Sequence, residues 1–201
     1  MKSIPKPYYQ DDYATIYHGD CRDILPHLEP VDLVLTDPPY PNYLEKEYRY
    51  YPEILEPFRL LDCQQIIFWT PSATFPLDFQ AVHVWDKATG SNTQFEHIYF
   101  RGRSPGYLIH RTMSPHSSVR CQILKDDNTI HPSQKPVQLM LKLMNLCKFQ
   151  KVLDPFMGSG TTLKAAKMLQ RKSIGIEIEE KYCEIAVKRL RQEVLPFGAI
   201  K

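Results

Sequence analysis

The sequence predicts an α/β protein with a doubly wound, mainly parallel β-sheet. Three observations support this fold class: short apolar runs end in turn residues, segments with helical periodicity follow several of them, and a glycine-rich turn joins one strand to the next helix. Such alternation is typical of parallel sheets that carry helices on both faces. With 201 residues, one domain is expected over residues 1–201.

Seven segments have the composition of strands, with β-branched and aromatic residues bounded by turn residues. Two are especially clear, because residues 31–36 end at Asp37-Pro38-Pro39 and residues 65–70 end at Pro71. The predicted strands are 15–18, 31–36, 65–70, 81–85, 97–100, 151–154 and 173–178.

Three further segments are predicted to be helices: 136–147, 161–170 and 179–193. The first begins with a proline, which suits the first turn of a helix. The second follows the glycine-rich turn. In the third, apolar side chains recur at helical spacing, which indicates that one face packs against the sheet.

The composition is that of an ordinary globular protein, with 43% hydrophobic residues, 24% charged residues and a net charge of +2. No stretch approaches the ~20 apolar residues of a membrane span, and the N-terminal residues lack the apolar core of a signal peptide. We therefore expect a cytoplasmic protein without membrane contact. The five cysteines are widely spaced and form no CxxC pair, which predicts free thiols and no metal site.

A basic segment lies in the second half of the sequence. Residues 97–125 contain Arg101, Arg103, Arg111 and Arg120 but no carboxylate, and aromatic residues lie between them. This mixture favours contact with nucleic acid, although a solvated loop has the same composition. The least regular stretch, about 101–130, is expected to be a short insertion.

The glycine-rich turn has the sequence LDPFMGSGTT over residues 153–162. Glycines let a ligand approach the backbone, and the following helix presents free N–H groups. The turn is not a phosphate-binding P-loop, because no Gly-Lys-Ser/Thr follows it.

Glu177 ends the next predicted strand, 17 residues after Gly160, where nucleotide-binding α/β folds place an acidic residue that binds ribose hydroxyls. A cap or a salt bridge is the alternative role for Glu177.

The tetrapeptide Asp37-Pro38-Pro39-Tyr40 follows a predicted buried strand, at the edge where open α/β sheets bind ligands. The two prolines fix the backbone and remove two N–H donors, so carbonyl and carboxylate acceptors predominate. A planar ring with an amino group suits this arrangement, with the amine donating to Asp37 and the ring stacking on Tyr40. A rigid turn without a ligand is the alternative interpretation.

Together with the glycine-rich turn and HPSQKP (residues 131–136), the tetrapeptide resembles the S-adenosylmethionine-dependent amino-methylating DNA methyltransferases. The order of the three motifs is similar to the circularly permuted β-type arrangement, and the resemblance covers about residues 13–192. It implies the Rossmann-like sheet of the methyltransferase type. It also implies S-adenosylmethionine as cofactor and double-stranded DNA as partner.

The resemblance assigns roles to individual residues. Asp37, Pro38, Pro39 and Tyr40 would hold a flipped-out base. Glu177 would bind the cofactor's ribose, Asp20 would lie near its adenine, and Lys135 would lie beside its amino-acid end. The remaining residues implied to bind the cofactor are Asp37, Asp154, Phe156, Gly158, Ser159, Gly160 and Thr161. Arg101, Arg103, Arg111 and Arg120 are the candidates for contact with nucleic acid.

The chemistry implied is methyl transfer to an exocyclic amine, which needs positioning and electrostatics rather than a covalent nucleophile. The sequence contains no Pro-Cys dipeptide of the carbon-5 cytosine enzymes. DPPY favours N6 of adenine, with N4 of cytosine as the alternative. RNA adenine methylation and a non-enzymatic DNA-binding module remain open.

One departure from the family concerns the recognition of DNA sequence. Only 90 residues separate Tyr40 from His131, and predicted strands, together with Trp69 and Trp85 as core residues, occupy many of them. About 101–129 is left for target recognition. We expect a minimal enzyme with a short site or relaxed specificity, or one that acts with a homodimeric or separate recognition partner.

Overall fold

The computed structural model describes residues 5–41, 52–87, 95–102 and 134–192, and an eight-stranded sheet runs through these residues. Its strands lie side by side in the order β1-β2-β8-β7-β3-β4-β6-β5. The strands are β1 (Tyr9–Gln10), β2 (Ala14–His18), β3 (Leu33–Thr36), β4 (Gln64–Trp69), β5 (Ala81–Asp86), β6 (Phe95–Arg101), β7 (Lys151–Asp154) and β8 (Lys172–Glu177).

The five central strands of the sheet, β2, β8, β7, β3 and β4, are parallel. Antiparallel pairs extend the sheet at both ends, with β1 on β2 at one end and β6 and β5 beyond β4 at the other. All seven predicted strands are present, and the prediction of a mainly parallel sheet is confirmed.

Four α-helices accompany the strands in the described ranges: α1 (Cys21–Ile24), α2 (Val137–Met144), α3 (Thr161–Met168) and α4 (Glu180–Arg191). Two segments, Leu25–His27 and Pro52–Leu60, are 3-10 helices. The three predicted helices correspond to α2, α3 and α4, with ends that differ by at most three residues. Pro136 is the N-cap of α2 rather than its first residue.

The core has two faces because alternate residues of each buried strand point to opposite sides of the sheet. Leu33, Leu35 and Val152 pack against α2 and α3 on one face. On the same face, Ile16 packs against α4. Val34 and Ile67 pack on the other face, against α1 and the segment Pro52–Leu60. The sheet is therefore covered on both sides, as a doubly wound fold requires.

Two predictions concerned side chains that this fold buries. Trp69 and Trp85 are 0% and 3% exposed, so both are core residues as expected. Cys21, Cys63, Cys147 and Cys183 are free thiols. Most of the predicted insertion at 101–130 lies outside the described residues. In the ranges that the structure describes, no helix has the length and apolarity needed to cross a membrane.

Candidate active site

The carboxyl edge of the parallel strands collects four acidic side chains. Asp20 follows β2, Glu177 ends β8, Asp154 ends β7 and Asp37 follows β3. These strands are consecutive neighbours in the sheet, so their carboxyl ends meet at one edge. The structure thus brings together four residues that sequence reasoning placed in one site.

The glycine-rich turn between β7 and α3 owes its shape to two left-handed residues. Gly158 has φ +50° and Gly160 has φ +77°, a region that glycine enters without steric cost. The Gly160 N–H donates to the carbonyl of Met157 at 2.9 Å, which closes the turn. The Gly158 N–H instead donates to Oε2 of Glu177 at 2.9 Å, which ties the turn to the end of β8.

The Glu177 carboxylate lies in a buried position between two strand ends. Its Oε1 accepts from the N–H of Glu179 and its Oε2 from the N–H of Gly158, both at 2.9 Å. Burial raises the pKa of Glu177, while these backbone donors oppose the rise. A carboxylate has about four acceptor positions, so two backbone bonds leave capacity for further donors such as ribose hydroxyls.

Asp20 lies beside Glu177, because the Gly19 N–H donates to the Glu177 carbonyl at 2.9 Å. The Asp20 carboxylate caps α1 by accepting a hydrogen bond from the Arg22 N–H at 2.9 Å. The Arg22 guanidinium pairs with the same carboxylate and holds its pKa below the usual range. Asp20 is therefore an ionised acceptor at the edge of the site, as a role near the cofactor adenine requires.

Asp154 is only 4% exposed, and three protein groups hold its carboxyl. Thr36 Oγ1 donates to Oδ1 at 2.6 Å, the Phe156 N–H donates to the same oxygen at 3.2 Å, and Thr162 also bonds it. Burial raises the pKa of Asp154 to about 6. A buried carboxylate among neutral donors favours a cationic ligand, which fits a group that carries a sulfonium and an ammonium.

The hydroxyls of Ser159 and Thr161 contact a buried arginine, Arg189, which was not predicted from the sequence. Nη1 of Arg189, from α4, donates to the Ser159 carbonyl at 2.6 Å, to Ser159 Oγ at 2.8 Å and to Thr161 Oγ1 at 3.2 Å. Ser159 and Thr161 were expected to line the cofactor. The two residues are only 4% and 6% exposed, and their hydroxyls support the turn from behind.

The Asp37-Pro38-Pro39-Tyr40 segment leaves β3 next to Asp154. Oδ2 of Asp37 pairs with the Lys135 ammonium, whereas its Oδ1 is buried and has no hydrogen-bond partner among the described residues. Burial raises the pKa of Asp37 to about 6, against the effect of Lys135. An unpaired buried acceptor costs about 1–3 kcal/mol, so the arrangement favours a ligand that donates a hydrogen bond.

Tyr40 was expected to offer a flat face to a base. Its ring is 9% exposed and meets Trp69 edge-on, with 5.9 Å between ring centroids. Phe156 lies nearby in the same apolar layer and stacks on Phe58 at 6.2 Å. Most of the Tyr40 ring therefore contributes to the wall of the site, and only a small part of it is open to a base.

Lys135 was expected beside the amino-acid end of the cofactor. Instead its ammonium pairs with Asp37 and Glu96, with 3.0 Å to Glu96 Oε2, and lies 5.1 Å from the centre of the Phe68 ring. Burial alone would lower the pKa of Lys135, but the two carboxylates raise it overall. Lys135 is thus a buried counter-charge for Asp37, and its position beside the amino-acid end of the cofactor stays a prediction.

Arg101 is also placed differently from the expectation of a phosphate contact. It is 7% exposed, and its guanidinium donates to the carbonyls of Phe58 and Asp78 and to Oε1 of Gln65. A guanidinium with these partners stabilises the junction of β6 and the segment Pro52–Leu60. Arg103, Arg111 and Arg120, like residues 131–133 of HPSQKP, lie outside the described residues.

Comparison with known proteins identifies the family of the chain. The sequence profile of the DNA methylases that modify N6 and N4 amino groups matches residues 80–188, more than half of the chain. The chain belongs to this DNA methylase family. Members transfer the methyl group of S-adenosylmethionine to DNA, so the predicted family, enzyme class and cofactor are confirmed at that level.

Curated relatives are type II methyltransferases. M.ScaI of Streptomyces caespitosus is 26% identical over 266 residues, an alignment that covers 96% of this chain and 86% of the relative. M.HindIII of Haemophilus influenzae is 47% identical over 78 residues, which cover 37% of this chain and 25% of that protein.

Solved structures show the same fold. The complex of M1.HpyAVI with S-adenosylmethionine has a TM-score of 0.68 at 26% identity, and the match covers 89% of this chain and 99% of that one. The cytosine-N4-specific PvuII DNA methyltransferase has a TM-score of 0.69 at 17% identity, covering 96% and 92%. The second likeness concerns the fold alone.

Proposed function

We propose that this member of the DNA methylase family methylates N6 of adenine in double-stranded DNA. The observation that carries the proposal is Asp37, whose Oδ1 has no donor among the described residues although it is buried at the carboxyl edge of the sheet. Asp154 and the glycine-rich turn lie beside it on the neighbouring strand. A carboxylate oxygen that can accept a hydrogen bond beside a cofactor site is suited to hold an amine that receives a methyl group.

The residues at the edge of the sheet fit S-adenosylmethionine, which supplies an activated methyl group when bound. Glu177 accepts hydrogen bonds from ribose hydroxyls, Asp20 accepts near the adenine, and Asp154 offsets positive charge. The backbone of Gly158 and Gly160 allows close approach of the ligand. The assignment of Glu177 follows from an acceptor with unused capacity, and those of Gly158 and Gly160 follow from backbone positions without a side chain. The assignment of Asp20 follows from its place beside Glu177, and that of Asp154 from its buried carboxyl.

Asp37 acts on the amine of the target base. Its Oδ1 accepts a hydrogen bond from the amine, and the Pro38 carbonyl is the candidate acceptor for the second N–H. Two such bonds draw the nitrogen lone pair out of conjugation and aim it at the methyl group. The base must leave the duplex to reach Asp37, which costs a few kcal/mol, and the exposed part of Tyr40 provides a contact for the ring.

DNA is bound through its phosphates in this proposal. Arg103, Arg111 and Arg120 belong to a stretch without carboxylates, and arginines of this kind give affinity without selecting a sequence. A homodimer or a separate recognition subunit remains the proposed source of any longer recognition site.

The choice of adenine over cytosine rests on aspartate at position 37 of the tetrapeptide. The test is transfer of a tritiated methyl group from S-adenosylmethionine to unmethylated duplex DNA, followed by mass spectrometry of the nucleosides. We expect N6-methyladenine from the wild type and none from Asp37→Asn, which keeps the shape of the side chain but removes its charge. Glu29→Gln is the matched control, because Glu29 is an exposed carboxylate that pairs only at the surface, with Lys151.

Other products would overturn part or all of the proposal. N4-methylcytosine would keep Asp37 in its role and replace the base. A product only in folded RNA would replace the nucleic acid. If cofactor bound but no nucleic acid were methylated, the assignment of this chain as a self-sufficient enzyme would be wrong.

A further inference from the structure

A chain of four charged side chains runs inward from the surface to Asp37. Lys87, which follows β5, places its ammonium 2.6 Å from Oε1 of Glu96 on β6. The other carboxylate oxygen of Glu96 lies 3.0 Å from the Lys135 ammonium, which in turn pairs with Oδ2 of Asp37. Positive and negative groups alternate, so the four charges sum to zero.

The middle of this chain is buried. Lys135 and Glu96 are each 6% exposed, and the Lys135 ammonium lies 5.1 Å and 5.8 Å from the centres of the Phe68 and Trp85 rings. Buried ion pairs contribute little net stability compared with apolar side chains of similar volume. Glu96 and Lys87 therefore call for an explanation beyond holding the fold together.

We propose that Glu96 and Lys87 are positioning residues for Asp37, because they fix Lys135 on Oδ2 and so leave Oδ1 to the substrate amine. This inference rests on the proposed function for the identity of the amine, but not for the arrangement of charges. Without Glu96, the Lys135 ammonium would lose the carboxylate that holds it on the side of β6. It would then be free to pair with either oxygen of Asp37.

The arrangement also sets the charge state of Asp37. The titratable groups that face Asp37 are Lys135 from the segment before α2, Glu96 from β6, Lys87 after β5 and Asp154 at the end of β7. Loss of the negative charge of Glu96 leaves the cations in excess and favours the Asp37 anion. Loss of the positive charge of Lys87 leaves the carboxylates in excess and disfavours it. The two substitutions therefore act in opposite directions.

The experiment measures the titration of Asp37 directly, by carbon-13 NMR of aspartate carboxyls in the whole protein without substrate. Asp37→Asn assigns the signal. In Glu96→Gln we expect the pKa of Asp37 to fall, and in Lys87→Met we expect it to rise, each by about 0.5–1 unit, since neither group is in direct contact with Asp37. Lys87 is the more exposed of the two, so its variant tests the inference even if Glu96→Gln unfolds.

Kinetics provide a second measurement, which would show no such shift if Glu96 and Lys87 had only a structural role. The acid limb of the kcat profile for methyl transfer should shift in the same opposite directions as the NMR pKa, and Glu96→Asp should recover more kcat than Glu96→Gln. Unchanged NMR titrations, or shifts of equal sign, would overturn the inference. A wild type that shows the NMR shifts but methylates no DNA would instead overturn the proposed function and leave the positioning of Asp37 standing.

Discussion

Replacing Gly158 by alanine separates binding of the cofactor from stability of the fold. A Cβ at this position meets no atom within 4 Å in the described structure, so packing imposes no penalty. The remaining cost is the left-handed backbone at φ +50°, which is about 1–2 kcal/mol for an L-residue. The fold should therefore tolerate Gly158→Ala with a modest loss of unfolding free energy.

Binding of the cofactor should also weaken in the same variant. The Gly158 N–H already bonds Glu177, and in the proposed site the open space beside Gly158 is where the cofactor approaches the turn. A methyl group there would displace the ligand from the backbone. We expect the Kd for S-adenosylmethionine to rise at least tenfold, and tenfold corresponds to about 1.4 kcal/mol.

Gly160→Ala is the matched comparison on the same turn. Its Cβ would lie 2.8 Å from the Cβ of Ala186 on α4, and φ is +77°, so overpacking adds to backbone strain. Overpacking costs about 1–3 kcal/mol and the backbone about 1–2 kcal/mol, which gives a total of about 2–5 kcal/mol. Urea denaturation measures stability, and isothermal titration calorimetry measures cofactor binding. Wild-type affinity in Gly158→Ala, or equal stability of the two variants, would refute the reasoning.

Three further predictions concern buried polar groups. Burial raises the pKa of Asp154 from 3.8 to about 6, so its contribution to stability is present below pH 4 and is lost as pH rises to about 6. Relative to Asp154→Asn, the wild type should lose about 2 kcal/mol of unfolding free energy between pH 4 and 7 in a series of denaturation curves, and an equal pH dependence of the two proteins would contradict this. Arg189→Lys should raise the KM for the cofactor several-fold with a smaller change in kcat, because lysine lacks the geometry to hold Ser159 and Thr161 together; an unchanged KM would refute this. Arg101→Met should lower the unfolding free energy by about 1–3 kcal/mol, because it leaves the buried Oε1 of Gln65 without its donor, and should leave the salt dependence of DNA binding by the remaining folded protein unchanged. A smaller salt slope would restore Arg101 as a phosphate contact.

The fold was predictable where local sequence carries a periodic signal. Apolar runs identified all seven longer strands, and the proline, glycine turn and helical spacing identified α2, α3 and α4. The strand β1 (Tyr9–Gln10) was missed because two residues have no period to detect. The order of the strands in the sheet depends on contacts between distant segments, and only family resemblance points to it from a single sequence.

The residues of the candidate site were likewise predictable only where a local motif marks them. Asp37, Asp154 and Glu177 were found because each ends a strand next to a turn motif, and strand ends are readable in the sequence. Glu96 was not predicted as a site residue because a single carboxylate within a strand is usually exposed. Its partner Lys135 lies 39 residues further along the chain. Arg101 was predicted to contact nucleic acid because basic residues in such a segment are usually exposed. The groups that accept its hydrogen bonds lie at least 23 residues earlier in the chain, and the local sequence gives no sign of them.

Binding of the cofactor should be coupled to proton release. Without a ligand, burial raises the pKa of Asp37 and of Asp154 to about 6 and also raises that of Glu177, so part of this edge carries protons near neutral pH. A cation placed there favours the ionised carboxylates, which must then lose protons. Calorimetric titrations at pH 6 in buffers of different ionisation enthalpy count the protons released.

S-adenosylhomocysteine provides the control for this last prediction, because it lacks the methyl group on sulfur and with it the sulfonium charge. We expect S-adenosylmethionine to release more protons than S-adenosylhomocysteine, and Asp154→Asn to reduce the difference between them. Asp154 and Glu177 accept hydrogen bonds only from neutral groups, whereas Asp37 already has the Lys135 ammonium and Asp20 has the Arg22 guanidinium. Equal proton release by the two ligands would mean that the sulfonium charge is not felt at this edge, and Asp154 would then serve only to shape the turn.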